Sequence, residues 1–152
     1  MQTFVPDGAS YRASASCLDS KRLGKQLVEV QQIYTAIVNP AYGWQHHPAV
    51  RMWRGRVWAL LSYGIEVYDE WWGRKRKQHK SGEFIEARFY ERMGGDTPKY
   101  PSWWGGPVHS THRSVLLAKD PEWYGRFAWK ESPAEKVNGK WPYEWPEEKS
   151  ND

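Results

Sequence analysis

The chain of 152 residues has one cysteine, Cys17, which excludes an internal disulfide and a cysteine-based zinc site. It has no apolar run near the roughly 20 residues that a bilayer-spanning helix needs. The opening Met-Gln-Thr-Phe-Val-Pro has neither a basic n-region nor an apolar h-region, so no signal peptide is expected and a cytoplasmic monomer is the default. Internal repeats are missing. So are a Walker-type or dinucleotide glycine loop, a nucleophile elbow and a helix-hairpin-helix pattern. Aliphatic residues are scarce as well: hydrophobic residues make up 39% and the mean hydropathy is −0.87.

Aromatic rings fill that gap. Eleven Trp, nine Tyr and four Phe bury much area per residue, enough to build one core in a chain of this length. About two thirds of the tryptophans are expected in that core, given how deeply they usually sit. The remaining rings are free to stack on bases, which needs no hydrogen-bond code.

The net charge of +4 is unevenly spread. Residues 1–80 carry 12 Lys/Arg against 6 Asp/Glu, residues 81–129 carry 6 of each, and residues 130–152 carry 4 against 6. The positive charge therefore belongs to the first two helices and their flanks, as suits a polyanion such as nucleic acid; a merely solvated basic face is the plainer alternative.

The pattern predicts an all-α fold, a single compact domain of three main helices joined by long aromatic-rich loops. An extended arm over residues 1–15 precedes a helix from about Ser16 to Val38, with Asp19 or Ser20 in its first turn and Asn39-Pro40 as its stop. Leu23, Leu27, Val30, Tyr34, Ala36 and Ile37 gather on one side of it. Arg22, Lys25, Gln26, Glu29 and Gln32 fall on the other. A loop through His46 and His47 leads to a second helix from about Ala49 to Trp72. Arg51, Arg54 and Arg56 crowd its first turns, where the helix dipole disfavours cations. A basic run, Gly73 to Lys80, follows, then a short helix near Glu83–Met93. Gly94 to Pro107 is an aromatic loop, either a lid or a packed Ω-loop. The third helix spans His109 to Lys119. Residues 1–129 form the expected helical domain and residues 130–152 a charged tail, whose Trp141, Tyr143 and Trp145 are expected to pack on the body.

Two constellations offer chemistry. A lone carboxylate among basic and amide groups, as Glu29 is, suits stabilisation of a developing cation or transfer of a proton. The bland alternative is a Lys25–Glu29 salt bridge worth about 0.3–0.5 kcal/mol. The histidines form His46-His47 and His109-x-x-His112. The latter spacing lets two rings share a metal, although no acidic residue stands at a known ligand spacing; as acids, bases or phosphate donors they need none. No metal and no cofactor are expected.

Three segments, taken in order, resemble the phage and bacterial pyrimidine-dimer DNA glycosylase (endonuclease V) family. They are Leu18-Asp-Ser-Lys-Arg-Leu-Gly-Lys-Gln-Leu-Val-Glu29, His47-Pro-Ala-Val and Asp120-Pro-Glu-Trp-Tyr, with the resemblance running over residues 1–129. The arm and these segments together are similar to a branch found in actinobacteria and their phages. The resemblance implies a compact helical fold with the first residue beside the first helix. It implies further that a terminal amine attacks the sugar C1′ of a damaged nucleotide to form an imine, and that a glutamate stabilises the sugar cation and moves protons.

By position, Glu29 takes that glutamate's place, Arg22 that of a helix-facing histidine, and His112 that of a basic residue on the last helix. Two departures stand out. The family's nucleophile is a threonine exposed by methionine removal, whereas bulky Gln2 should leave Met1 in place, so Met1 would supply the amine. Val28 and Gln32 replace arginines that flank the glutamate.

The expected nucleic-acid or nucleotide contacts are Gln2 on the arm and Lys21, Lys25, Gln26 and Gln32 on the first helix. His46, His47, Arg51 and Arg54 supply them around the second. His109, Arg113, Lys119, Trp123 and Tyr124 supply them around the third. The expected function is a DNA-base glycosylase with abasic-site lyase activity, acting on damaged or modified double-stranded DNA. A nucleotide-binding or nucleotide-modifying protein is the second reading, and a histidine-based metal hydrolase the third.

Overall fold

Asp19 decides how the first third of the chain is cut into helices. In the computed structural model, which describes residues 1–92 and 99–146, its carboxylate accepts from the Arg22 N–H and starts α2 (Ser20–Val38). The preceding Leu18 ends α1 (Tyr11–Cys17) in an extended conformation, φ −74° and ψ 139°. The single helix expected from Ser16 is therefore two helices. The extended arm is correspondingly shorter, because the Ser10 hydroxyl already caps α1 through the Ala13 N–H.

The second expected helix is also divided. His47 Nδ1 accepts from the Ala49 N–H and starts α3 (Pro48–Arg51), whose last residue is Arg51. There a cation suits the helix dipole, and of the three arginines only Arg56, the cap of the next helix, still stands at a helix start. Gly55, at φ 75°, turns the chain into α4 (Val57–Lys75), a backbone conformation that glycine adopts without strain. A histidine starts the next helix as well, His79 Nδ1 accepting from the Ser81 N–H at the head of α5 (Lys80–Glu91). Met93, the expected end of that helix, and the first residues of the aromatic loop lie outside the described residues. α6 (Val108–Lys119) follows the expectation closely, and α7 (Pro121–Tyr124) runs into a 3-10 turn at Gly125–Phe127.

The molecule is all-α, with no strand among the described residues. No described helix is long and apolar enough to cross a membrane. α4 lies at the centre, packed by α1, α2 and α5. Leu23, Leu27, Val30 and Ile33 of α2 meet Leu60, Leu61 and Tyr63 of α4 in a fully buried core. A side chain on Gly64 would stand 2.8 Å from Ile85 and 3.0 Å from Val30, so its absence lets α2, α4 and α5 converge. Trp53 is completely buried and stacks on Tyr63 at 6.0 Å. Trp71 of α4, Trp103 and Trp104 of the loop before α6, Trp123 of α7, and Trp129 and Trp145 beyond it pack against the core.

The arm takes the place that a further helix would fill. Residues 2–6 are buried, and an extended segment can be buried only if its backbone finds partners. Gln26 of α2 supplies two, its Nε2 donating to the Gln2 carbonyl at 2.9 Å and its Oε1 accepting from the Phe4 N–H at 2.8 Å. From the other side α6 grips Val5. His112 Nδ1 accepts the Val5 N–H at 3.0 Å, and His109 Nδ1 stands 2.6 Å from the Val5 carbonyl. Arg113 adds a bond to the Pro6 carbonyl at 2.8 Å.

The C-terminal segment is strapped along the same helix. Glu131 receives a two-pronged ion pair from Arg113, the Ala134 N–H donates to the Ser114 carbonyl, and Tyr143 and Trp145 pack on the core, as expected of them.

Candidate active site

Arm, α2, α6 and strap enclose a cavity of about 380 Å³. Its floor is polar: Glu29 and Gln26 from α2, with Gln2 and Met1 from the arm. Its rim is cationic, formed by Lys21, Arg22 and Lys25 in the first two turns of α2 and by Lys119 at the end of α6. Its apolar wall is Phe4, Trp141 and Tyr143. Ridges at i, i+3, i+4 and i+7 on α2 bring Arg22, Lys25, Gln26 and Glu29 to one side, as their spacing predicts. That side is not an open polar face, however, because the arm covers it and leaves Glu29 only 5% exposed.

Burial pushes the Glu29 carboxyl above the ordinary carboxylate range, against the lowering pull of the Met1 amine, the Lys25 charge and the Gln2 N–H. Lys25 acts on it through charge, and Glu29 Oε2 has no hydrogen-bond partner. The amine's charge is also felt by His47, whose pKa falls from burial and from that charge. Met1 and Glu29 therefore share one cavity, with the amine close enough to act on the carboxylate. On the rim, burial and the charges of Arg22, Lys25 and Lys136 lower the pKa of Lys119. These cations repel one another, and an anion placed among them would relieve the repulsion.

The unpaired groups cluster here. Among the described residues, the buried side-chain atoms without a partner include both amide atoms of Gln2, Glu29 Oε2 and His112 Nε2. Gln2 and Glu29 line the cavity, and His112 lies directly behind its wall, edge-on to Phe4 at 5.6 Å and to Tyr143 at 5.7 Å.

The other expected contacts stand elsewhere. His112 is fully buried and, by that burial and the nearby His109, pushed down to about 3, so it holds the arm as a neutral ring. His109 is likewise occupied, its Nε2 accepting from the Gly105 N–H. The pair that spacing offered to a metal clamps the two sides of Val5 instead. Among the described residues no three His, Cys, Asp or Glu group to hold a metal ion.

Trp123 Nε1 donates to the Cys17 carbonyl at 2.7 Å, and Tyr124 is buried against Asp19. Arg113 ties arm to strap, and Arg54 donates to the Gln45 carbonyl at 2.9 Å. Gln32 is half-buried on α2, His46 and Arg51 are exposed, and His47 caps α3, all apart from the cavity lining. Phe4, Trp141 and Tyr143 were not anticipated as lining. For Trp141 and Tyr143 the one sequence signal was the density of rings in an otherwise charged tail, and Phe4 on the arm had none.

The sequence model for pyrimidine dimer DNA glycosylase matches residues 1–83. The chain belongs to that family. A DNA glycosylase type of function follows from membership, with DNA as the substrate. No curated protein and no solved structure matches the chain. The glycosylase match covers the arm and α1 to α4 and ends within α5, so it includes Met1, Gln2 and the α2 face with Glu29. Lys119, Trp141 and Tyr143, which complete the cavity, lie beyond it.

Proposed function

We propose that the protein is a DNA-base glycosylase with abasic-site lyase activity, in which Glu29 and the Met1 amine work on one sugar carbon inside the cavity. The observation that carries this reading is the buried Glu29 carboxyl, one oxygen of it without a partner, sharing a cationic cavity with that amine. Lys21, Arg22, Lys25 and Lys119 hold the phosphates that flank the damaged or modified nucleotide. The amine nitrogen attacks C1′, the glycosidic bond breaks, and the base leaves with the bonding electron pair and takes up a proton. Glu29 stabilises the positive charge that grows on the sugar and accepts the proton that the amine gives up. The resulting imine permits elimination of the 3′ phosphate.

Borohydride reduction tests this directly. The expected result is a covalent adduct between the protein and a duplex that carries an abasic site, with the DNA fragment mapped to Met1 by mass spectrometry. Base release without an adduct would retain the glycosylase and Glu29 but replace the amine with water. Neither adduct nor base release, on abasic, ultraviolet-irradiated and alkylated duplexes, would remove the reading.

A further inference from the structure

Gln2 is a costly residue for the fold. The residue is buried, only 8% exposed, and neither amide atom makes a hydrogen bond of good geometry. An amide buried in that way costs the fold the desolvation of each group left unpaired. The amide lines the cavity, so a ligand there can recover that cost. Its carbonyl oxygen accepts and its NH2 donates, side by side, which matches any planar ring edge that offers a donor next to an acceptor. Apart from the Tyr143 hydroxyl that faces it, nothing fixes the orientation of the amide, so it can turn either way to suit that edge.

The opposite wall comes from the strap. Trp141 lies under the Lys119 ammonium, 5.5 Å from ring centroid to nitrogen, and both residues line the cavity. A phosphate drawn to Lys119 therefore brings its own nucleoside against the Trp141 ring. The Tyr143 hydroxyl acts on Gln2 from the same wall. Burial pushes that hydroxyl up to about 12, against the opposing pull of Arg22 and of Gln2. An anion-binding rim, an aromatic wall and a donor–acceptor pair, in a space of about 380 Å³, are the complement of one nucleotide.

We propose that the C-terminal strap makes the cavity a socket for one extruded nucleotide, with Trp141 facing the base and Gln2 reading its hydrogen-bonding edge. This rests on reading the cavity as the place of a DNA nucleotide. It adds that the base is held and inspected, not merely displaced, and that accepted bases keep an adjacent donor and acceptor free.

Binding without catalysis tests it. Three dye-labelled five-unit single strands have tetrahydrofuran abasic analogues at the outer four units and differ only at the centre, which is thymidine, N3-methylthymidine or a fifth tetrahydrofuran. The phosphates are the same in all three. By fluorescence anisotropy, wild-type protein should bind the thymidine strand about tenfold more tightly than the all-abasic strand, the size of one base-on-aromatic contact. N3-methylthymidine, its edge blocked, should fall between them. Trp141→Ala, at a half-buried position, should erase the advantage of a base. Gln2→Leu should erase the difference between thymidine and its methylated form while leaving most of that advantage.

Equal affinity of wild-type protein for all three strands overturns the proposal, as do gaps that survive both substitutions. If strand preference holds while no base is released from any duplex, the glycosylase reading fails and the socket stands. If base release holds with no strand preference, the reverse is true.

Discussion

Asp19 and Glu29 stand ten residues apart, one at the cap of α2 and one in its middle, and both are buried. Their environments are opposite. Burial pushes Asp19 up, but hydrogen bonds from Tyr124 and Arg22 outweigh it and hold the carboxyl below its ordinary range. Burial pushes Glu29 up as well, and there the nearby charges do not cancel it. Every favourable partner that Asp19 has is part of the fold. Glu29 keeps one oxygen without any. A buried acid whose partners are all supplied is a joint of the scaffold, whereas one that lacks a partner is set for something that arrives later.

The sharpest way to break this contrast is Glu29→Gln. It should lower strand cleavage at an abasic site by about 10²–10⁴-fold, the usual share of a positioned acid–base group, while thermal melting stays at or above that of the wild type. A loss of stability with cleavage retained would make Glu29 another Asp19. Gln26→Leu comes next, because it leaves the Gln2 carbonyl and the Phe4 N–H buried and unpaired. About 2–4 kcal/mol should disappear from urea unfolding, and the arm should lose its place beside Glu29.

Asp19→Ala removes a helix cap and the Tyr124 and Arg22 bonds, and should cost about 2 kcal/mol in the same measurement. Lys119→Met should weaken binding to all DNA sequences alike and reduce the slope of log affinity against log salt by about 1.

The smallest effect is in the pH dependence of stability. With a lowered folded pKa, Asp19 contributes stability that is complete above its unfolded value, near 3.9, and is lost as pH falls through the folded one. Glu29, with a raised folded pKa, has the reverse sign. Stability falls as pH rises from its unfolded value, near 4.3, through the folded one. Urea midpoints from acid to neutral pH should flatten on the acid side for Asp19→Asn and on the neutral side for Glu29→Gln.

Much of this was legible in the residues. Helical periodicity put Arg22, Lys25, Gln26 and Glu29 together, and the order of the segments around them pointed to the right family. The breaks were not legible. Asp19 caps α2 through the nearby Arg22 N–H, but Tyr124, which holds the other oxygen of its carboxylate, is 105 residues away, and nothing local announces that partner. His109 and His112 looked available on spacing alone, since a helix face does not reveal that an extended arm will lie across it. The burial of Glu29 was hidden for the same reason: amphipathicity describes a helix by itself, and the arm supplied a second cover for the polar side.

The grip of α6 on the arm has a consequence for how the molecule comes into being. Val5 and His112 are separated by 107 residues, and Cys17 and Trp123 by 106. Contacts closing loops this long form late and slow the search for the native topology. On the ribosome, α1 to α5 emerge with the arm held from one side only, so the nascent chain displays an unfinished groove until α6 follows. Competence for chemistry thus waits for α6 to emerge and lock the first residues in place.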